Sequence, residues 1–591
     1  MAVHVPNPPV LLEAQRTGTR VFSGLEECAL RHAPALAQLA HCLRSCYGPA
    51  GSLKLLVTRS GRTLISGNSL AILSELEIEH PAGSLARQGC QTQAQECGDG
   101  TATVLLLAGA LMSEAEILLR AGMPATELCC GYRLACAHAC QELVAQSLYP
   151  WAADGKHPIF RGSTSADELS GTVCQHESSH HPMPSAHPGC LPLNLLPSGE
   201  LRQTLLLRYT LAYAATTALT FPLLKGTACN DLVEQACSVP IGDDPESLQV
   251  LGFPGGSMDN SWVVKGAVLQ LEPLGTTRGV DSARVALYMC PFGEQRTKGT
   301  GTTLIELVQE LEELGAGREQ VERRRVESLS EAGVTLLAVA GAVSELALHF
   351  CNQAGILVVK LERRSQARQL ALASGAQVLT TDQRAPEPED IGHCQRVYPT
   401  EIGEEQTLVF ESGHQVRGGQ ITVVVRAATP HLVEACKEVI RSAVQCYRAL
   451  REEPRMVVGA GAIEMELSLH LERLGQHHPG LEQQGLLAFS RALVTLPRTL
   501  ARNWGLDEMR VMGELRVRHE RGEVGTGIRE DGVVSSQVLD PLMVKRRALQ
   551  LATDVAVTLI GCGEVLVAKK SGGPKFQKEN RNWDLEPDFI D

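Results

Sequence analysis

The sequence predicts a multidomain chain of mixed α+β and α/β class, with helical ends around an α/β middle. Three observations predict it. The 591 residues are enough for roughly three to five domains. Apolar residues make up 44% and charged residues 20%, the balance of a folded chain and not of a disordered one. Helical periodicity governs the chain up to Ala145 and again from Gly459, whereas short apolar strands alternate with helices between Val263 and Leu379.

Taken in order, Ser23–Leu43 carries apolar residues at helical spacing, with Ser23 as the expected N-cap. Gly48-Pro49-Ala50-Gly51 stops that helix. Lys54–Ile65 alternates as a short hairpin, and Ala71–Glu79 returns to helix. Thr101–Arg120 is apolar nearly all round, which predicts burial on every side. Met123–Ala145 is the next helix. Pro150–Ser198 is rich in Pro, Ser, His and Gly and reads as an irregular insertion or linker. Strands follow at Val285–Tyr288, Val334–Val339 and Ile356–Val359, interleaved with helices at Leu304–Leu314, Ser344–Ala354 and Gln366–Ser374. Ile421–Arg426 is a strand, and Thr429 opens a helix over Pro430–Leu450. The end reads as helices at Gly459–Leu474 and Leu486–Asn503, a strand at Glu564–Ala568 and a polar tail.

Composition narrows the function. Aromatics are 4% against 55 glycines, so the cores rest on Ala, Val, Leu and Ile around closely spaced backbones. A net charge of −13 argues against general nucleic-acid binding, which needs a basic face. The N-terminus has no basic start followed by an apolar run, so no secretory signal is read, and the 19 cysteines read as reduced and cytosolic. Tyr209–Leu224 is the nearest thing to a membrane span, but its 16 residues hold four Thr and a Pro. A span needs about 20 apolar residues, so no membrane partner is expected. Cys174, His176, His180, His181, His187 and Cys190 are metal-ligand types without a zinc spacing, and read as a solvated loop.

The sharpest local signal is Gly98-Asp99-Gly100-Thr101, which opens the long apolar helix. Glycines let backbone approach an anion, and the helix N-terminus offers free N–H groups and a positive dipole end to phosphate. Asp99 is a candidate Mg²⁺ ligand, and Thr101 and Thr103 are candidate hydroxyl donors to phosphate or metal. The plain alternative is an Asp/Gly turn capping a helix. Gly48-Pro49 and Gly459-Ala460-Gly461 are two more glycine breaks beside helix ends. Three such breaks make one phosphate pocket only if the fold brings them together.

In order, Tyr47-Gly48-Pro49, Gly98-Asp99-Gly100-Thr101, Gly459-Ala460-Gly461-Ala462-Ile463-Glu464 and Leu539-Asp540 resemble the nucleotide motifs of group II chaperonins. The resemblance implies a helical equatorial domain that binds ATP, a small intermediate hinge and an α/β apical domain that binds unfolded polypeptide. Its boundaries would be 1–150 and 453–591 for the equatorial part, 151–258 and 411–452 for the intermediate part, and 259–410 for the apical part. The atypical Pro/His-rich stretch at about 152–230 falls in the intermediate part, and a helical lid near Thr297–Arg318 in the apical part. By the same resemblance Gly48, Pro49, Gly98, Asp99, Gly100, Thr101, Thr103, Gly459, Gly461 and Asp540 would contact ATP, with Asp99 on Mg²⁺. The implied partners are unfolded clients and other chaperonin subunits in a hetero-oligomeric cytosolic ring.

Departures from the family pattern matter as much. Asn68 stands where the family has an Asp, and Ile463 where it usually has Thr. Counting back from Gly459 puts Ser442 at the catalytic Asp that positions the attacking water. Serine is no carboxylate base at neutral pH, and losing such a group typically costs about 10²–10⁴-fold in rate. Glu438 shares that helix face one turn away and is the sole visible substitute, offset by about 6 Å. The expected function is therefore an ATP-binding, client-binding chaperonin-like subunit with weak or absent hydrolysis. The alternative is a non-enzymatic, chaperonin-shaped scaffold.

Overall fold

The computed structural model describes residues 20–148, 227–238, 247–293, 308–412, 419–535 and 538–567, except 24, 58–60, 62, 79, 382–383, 404 and 563. The Pro/His-rich stretch, the apolar run at 209–224 and positions 297–307 of the expected lid lie outside these residues. The described chain forms two compact units, 20–148 with 441–567 and 227–440.

Both chain ends meet in the first unit. Strand β1 (Arg20–Ser23) pairs antiparallel with β18 (Glu564–Val567), Arg20 opposite Val567. Ser23 therefore ends a strand and does not cap the helix, because α1 begins at Leu25 and runs to Leu43. The expected hairpin is β2 (Lys54–Val57) with β3 (Thr63–Ser66), Lys54 opposite Ser66. Helices α2 (Ser69–Glu75), α3 (Pro81–Cys97), α4 (Thr101–Arg120) and α5 (Ala125–Ala145) follow. Helix α2 starts two residues earlier than its periodicity indicates because the Asn68 side chain caps it.

Helix α4 is the centre of the core, with every residue from Thr103 to Gly109 buried. Among the described residues it is the one helix long and apolar enough to cross a membrane, and it packs against α1, α3 and α5's neighbour helices inside the unit. Glycine permits the close packing that the scarcity of aromatics requires. A methyl on Gly109 would lie 2.6 Å from Ala40 Cβ, and one on Gly131 would lie 2.9 Å from the Gly485 backbone. The few large rings are anchored. Tyr132 donates to the Leu111 carbonyl at 2.9 Å and meets Phe489 edge-on.

The second unit is the α/β middle. Its elements are α6 (Thr227–Ser238), β4 (Leu248–Pro254), β5 (Trp262–Leu269), β6 (Pro273–Leu274), β7 (Val280–Tyr288), α7 (Val308–Glu331), β8 (Leu336–Ala340), α8 (Glu345–Gln353), β9 (Leu357–Leu361), α9 (Arg364–Ser374), β10 (Val378–Leu379), β11 (Gly392–Ile402), β12 (Glu405–Ser412) and β13 (Ile421–Ala427). The strands form one mixed sheet, ordered β4-β13-β5-β12-β11-β7-β8-β9-β6, with β10 alongside β7. Where β7, β8 and β9 run parallel, residues on both faces are buried, as helix-covered parallel strands require. Leu336, Ala338 and Leu357 share a core with α9, while Leu337, Val339 and Val358 share one with α7 and α8.

Helix α10 (Pro430–Glu452) leads back into the first unit, where β14 (Met456–Val458), α11 (Ala462–His477), α12 (Glu482–Leu493) and α13 (Thr495–Asn503) follow. The run expected as one helix to Asn503 breaks at Val494, because Pro497 is tolerated only in a first helical turn. Helix α14 (Glu508–Glu520), the hairpin β15 (Thr526–Arg529) and β16 (Gly532–Ser535), strand β17 (Leu539–Pro541) and helix α15 (Leu542–Gly561) complete the unit. Periodicity did not single out α14, whose polar sequence buries only Val511, Leu515 and His519.

Candidate nucleotide-binding site

Four segments of the first unit converge. Helix α3 ends at Gly98 and α4 begins after Gly100, with both glycines at positive φ (74° and 86°). Gln93, fully buried, holds that turn by donating to the Asp99 carbonyl at 2.8 Å and to the Val544 carbonyl at 3.2 Å. A methyl on Gly100 would reach 2.8 Å from Gln93 Nε2, so the close approach requires glycine.

The other breaks arrive beside it. Methyls on Gly48 and Gly461 would each meet Leu500, and Asn503 donates to the Arg44 and Tyr47 carbonyls at 3.0 and 2.7 Å. Ala460 and Gly461 are both left-handed (φ 58° and 82°), and α11 starts directly after them. Strand β14 pairs with β17 so that Val457 lies opposite Asp540, and the Gly459 amide donates to the Val538 carbonyl. A methyl on Gly459 would lie 2.7 Å from Asp540 Oδ2.

A buried charge cluster ties these segments. Lys545 Nζ sits 2.6 Å from Glu464 Oε1 and 3.0 Å from Asp540 Oδ2. Burial pulls the Lys545 pKa down, but Asp540 and Glu464 outweigh it and hold the ammonium well above the usual lysine range. Tyr47 reaches into the same cluster, and burial pushes its phenol up to about 12. Helices α4 and α11 both begin on a left-handed glycine without a side-chain cap, leaving first-turn N–H groups for an anion. Asp99 and Thr101 stand at the first of these starts. Glu464 Oε2 and Gln93 Oε1 are buried without a hydrogen-bond partner among the described residues.

The profile of the TCP-1/cpn60 chaperonin family matches residues 39–158 and 195–570. The chain belongs to this chaperonin family. It is 31% identical over 596 aligned positions to T-complex protein 1 subunit theta of Mus musculus, covering 99% of each chain. The subunit theta of Homo sapiens is 30% identical with the same coverage, and a probable subunit theta of Schizosaccharomyces pombe is 28% identical, covering 99% of this chain and 100% of that protein. The family profile skips residues 159–194, inside the Pro/His-rich stretch.

Within this chaperonin chain, the positions read as departures have structural roles of their own. Ser442 on α10 donates its hydroxyl proton to the Gly98 carbonyl at 2.7 Å. Three residues on, Gln445 Nε2 donates to the Gln95 carbonyl at 2.9 Å, so this face of α10 is fastened to the end of α3. Glu438 precedes Ser442 by one turn but falls in the second unit. Asn68 Oδ1 accepts from the Leu70 amide at 2.9 Å, and Ile463 is buried in the main core. Pro49 is exposed at the turn beside Gly48. Fold-dependent partners that periodicity does not mark are Tyr47, Gln93, Asn503 and Lys545. The available signals were Tyr47 beside the Gly48-Pro49 break and Lys545 in the first turn of the helix that follows Asp540.

Proposed function

We propose that this chain is a cytosolic chaperonin subunit that binds ATP with Mg²⁺ and unfolded polypeptide, and whose own ATP hydrolysis is weak or lost. The observation that carries the reading is the pairing of convergent glycine breaks at 98–100, 459–461 and 48 with a serine, fastened to the Gly98 carbonyl, at the position of the expected carboxylate. The two uncapped helix starts suit a triphosphate. Asp99 is the group to hold Mg²⁺, which needs only one or two protein carboxylates beside phosphate oxygens and water. Thr101 and Thr103 are the hydroxyls to reach phosphate, and Asp540, beside Gly459, is the group for the ribose or base side. When bound, the metal supplies charge neutralisation of the phosphates. Ser442, with its one proton committed, supplies no base for an attacking water.

Relatives named as subunits of T-complex protein 1 support assembly with other chaperonin subunits into a ring. Equilibrium binding of ATP–Mg²⁺ together with phosphate release tests the reading. Binding that is weakened by Asp99→Ala, with little or no phosphate released, is the expected result. Turnover at the rate of an ordinary chaperonin subunit, abolished by Asp99→Ala, overturns the hydrolysis part; absence of ATP binding overturns the nucleotide part and favours the scaffold reading.

A further inference from the structure

The Gly459-Ala460-Gly461 break is held from two sides by backbone hydrogen bonds. The Gly459 amide donates to the Val538 carbonyl at 2.9 Å, and the Ile528 amide donates to the Ala460 carbonyl at 2.8 Å. Ala460 has a positive φ of 58°, which a non-glycine residue keeps only where its surroundings fix it. Whatever places β15, the strand that carries Ile528, therefore places Ala460.

Strand β15 is held by a buried imidazole. His519 lies in the last turn of α14, with no exposed side-chain surface. Its Nε2 is 2.9 Å from the carbonyl of Thr526, the first residue of β15. Its Nδ1 is 3.0 Å from Oε2 of Glu466, in the second turn of α11, the helix that the break opens.

We infer that His519 is a positioning residue for the candidate nucleotide site: by bridging Glu466 and Thr526 it sets the strand that fixes Ala460 in the 459–461 break. The inference rests on the nucleotide-binding reading of that break. A count of donors and acceptors carries it. The Thr526 carbonyl only accepts, so Nε2 carries a proton. Nδ1 and the Glu466 oxygen then hold one proton between them, whichever of the two it sits on. A planar ring with a partner at each nitrogen is fixed in orientation. It ties α11, which starts at the break, to β15, which bonds the middle residue of the break.

Neighbouring cations on α14 are committed elsewhere. Arg516 pairs with Glu472 and Glu520, and Arg518 with Glu514. Stability alone does not call for the pair either. A buried ionisable pair is a weak source of stability compared with apolar residues of the same volume. The apolar cluster of Met465, Leu469, Val511, Leu515 and Ile528 already packs α11, α14 and β15 together. Apolar packing has no direction, whereas the two ring hydrogen bonds do.

Amide hydrogen exchange of the full chain without nucleotide, read by peptide mass spectrometry, tests this alongside calorimetric titration with ATP–Mg²⁺. In the unaltered chain, exchange over 526–529 should be slow. Glu466→Ala and His519→Leu should each speed it by at least about tenfold and weaken ATP binding by about fivefold, the scale of one lost hydrogen bond. Glu466→Gln should keep both properties, because its amide donates to Nδ1 of a neutral ring while Nε2 still donates to Thr526. That rescue separates position from bulk stability. Val511→Ala trims the same apolar cluster, so it should lower the melting temperature and leave ATP affinity unchanged. Fast exchange over 526–529 in the unaltered chain overturns the assignment. So does Glu466→Gln as damaging as Glu466→Ala, or Val511→Ala with the same loss of affinity. An unaltered chain that binds no ATP overturns the nucleotide reading instead, and the exchange rates then decide alone whether His519 sets the strand. The two Glu466 variants decide the matter even if His519→Leu misfolds.

Discussion

Exchanging Ser442 for aspartate separates what this residue holds in place from what it lacks. Its hydroxyl donates to the Gly98 carbonyl at 2.7 Å, on the turn that opens α4. Ser442→Ala removes one such bond from a partly buried carbonyl, a loss of about 1 kcal/mol. Ser442→Asp has no proton to give at neutral pH and sets a carboxylate against that carbonyl, so its cost rises to about 1–3 kcal/mol. In return it supplies the missing base, with an expected gain in turnover of about 10²–10⁴-fold. Asn68→Asp is its companion. The Asn68 Oδ1 contact to the Leu70 amide is kept by a carboxylate oxygen, and Asn and Asp cap helices equally well, so stability should not change. The assay is phosphate release at saturating ATP–Mg²⁺, with ATP affinity measured in parallel. Ser442→Ala should hydrolyse no faster than the unaltered chain, while Ser442→Asp with Asn68→Asp should do so by at least about 10²-fold. A folded, ATP-binding double variant that is no faster refutes the reasoning.

Other expectations follow from the charge cluster and the packing. Lys545→Met strands Glu464 and Asp540 without their cation, so denaturant unfolding should show a loss of about 3–5 kcal/mol, and a loss below about 1 kcal/mol would contradict the burial argument. Lys545 and Tyr47 both hold their protons more tightly in the folded state. The stability this contributes is complete below about pH 10, the ordinary range of both groups, and is lost as pH rises through their folded values. The melting temperature should therefore fall at alkaline pH, and Tyr47→Phe should make the fall shallower. Gly459→Ala drives a methyl to 2.7 Å from Asp540 Oδ2, so ATP affinity should drop, as calorimetric titration will detect. Gly131→Ala puts a methyl 2.9 Å from the Gly485 backbone, where α5 crosses α12; overpacking should cost about 1–3 kcal/mol in thermal unfolding without touching the candidate site.

Much of the fold was legible because its signals are local. The all-round apolarity of Thr101–Arg120 marked a buried core helix, and the alternation of short apolar runs with helices between Val263 and Leu379 marked the α/β unit. The ordered glycine motifs marked the family that the full-length comparisons establish. Local signals also failed where two elements compete for the same residues. Ser23 suits a helix cap, yet pairing with Glu564, more than five hundred residues away, takes it into a strand. The polar helix over Glu508–Glu520 carries too narrow an apolar stripe to stand out.

What the sequence determined by itself was the set of backbone permissions and chemical types: which turns admit positive φ, which helices start without a cap, and that Asn68 and Ser442 are uncharged. Those properties belong to single residues and their near neighbours. Only the tertiary structure decided that Gly459 abuts Asp540, that Gln93 braces the turn at Asp99, that Lys545 bridges two carboxylates, and that the Ser442 hydroxyl is spent on the Gly98 carbonyl. The physical reason is that hydrogen bonds and buried charges are set by distances of a few ångströms between segments hundreds of residues apart, and no periodicity along the chain records them.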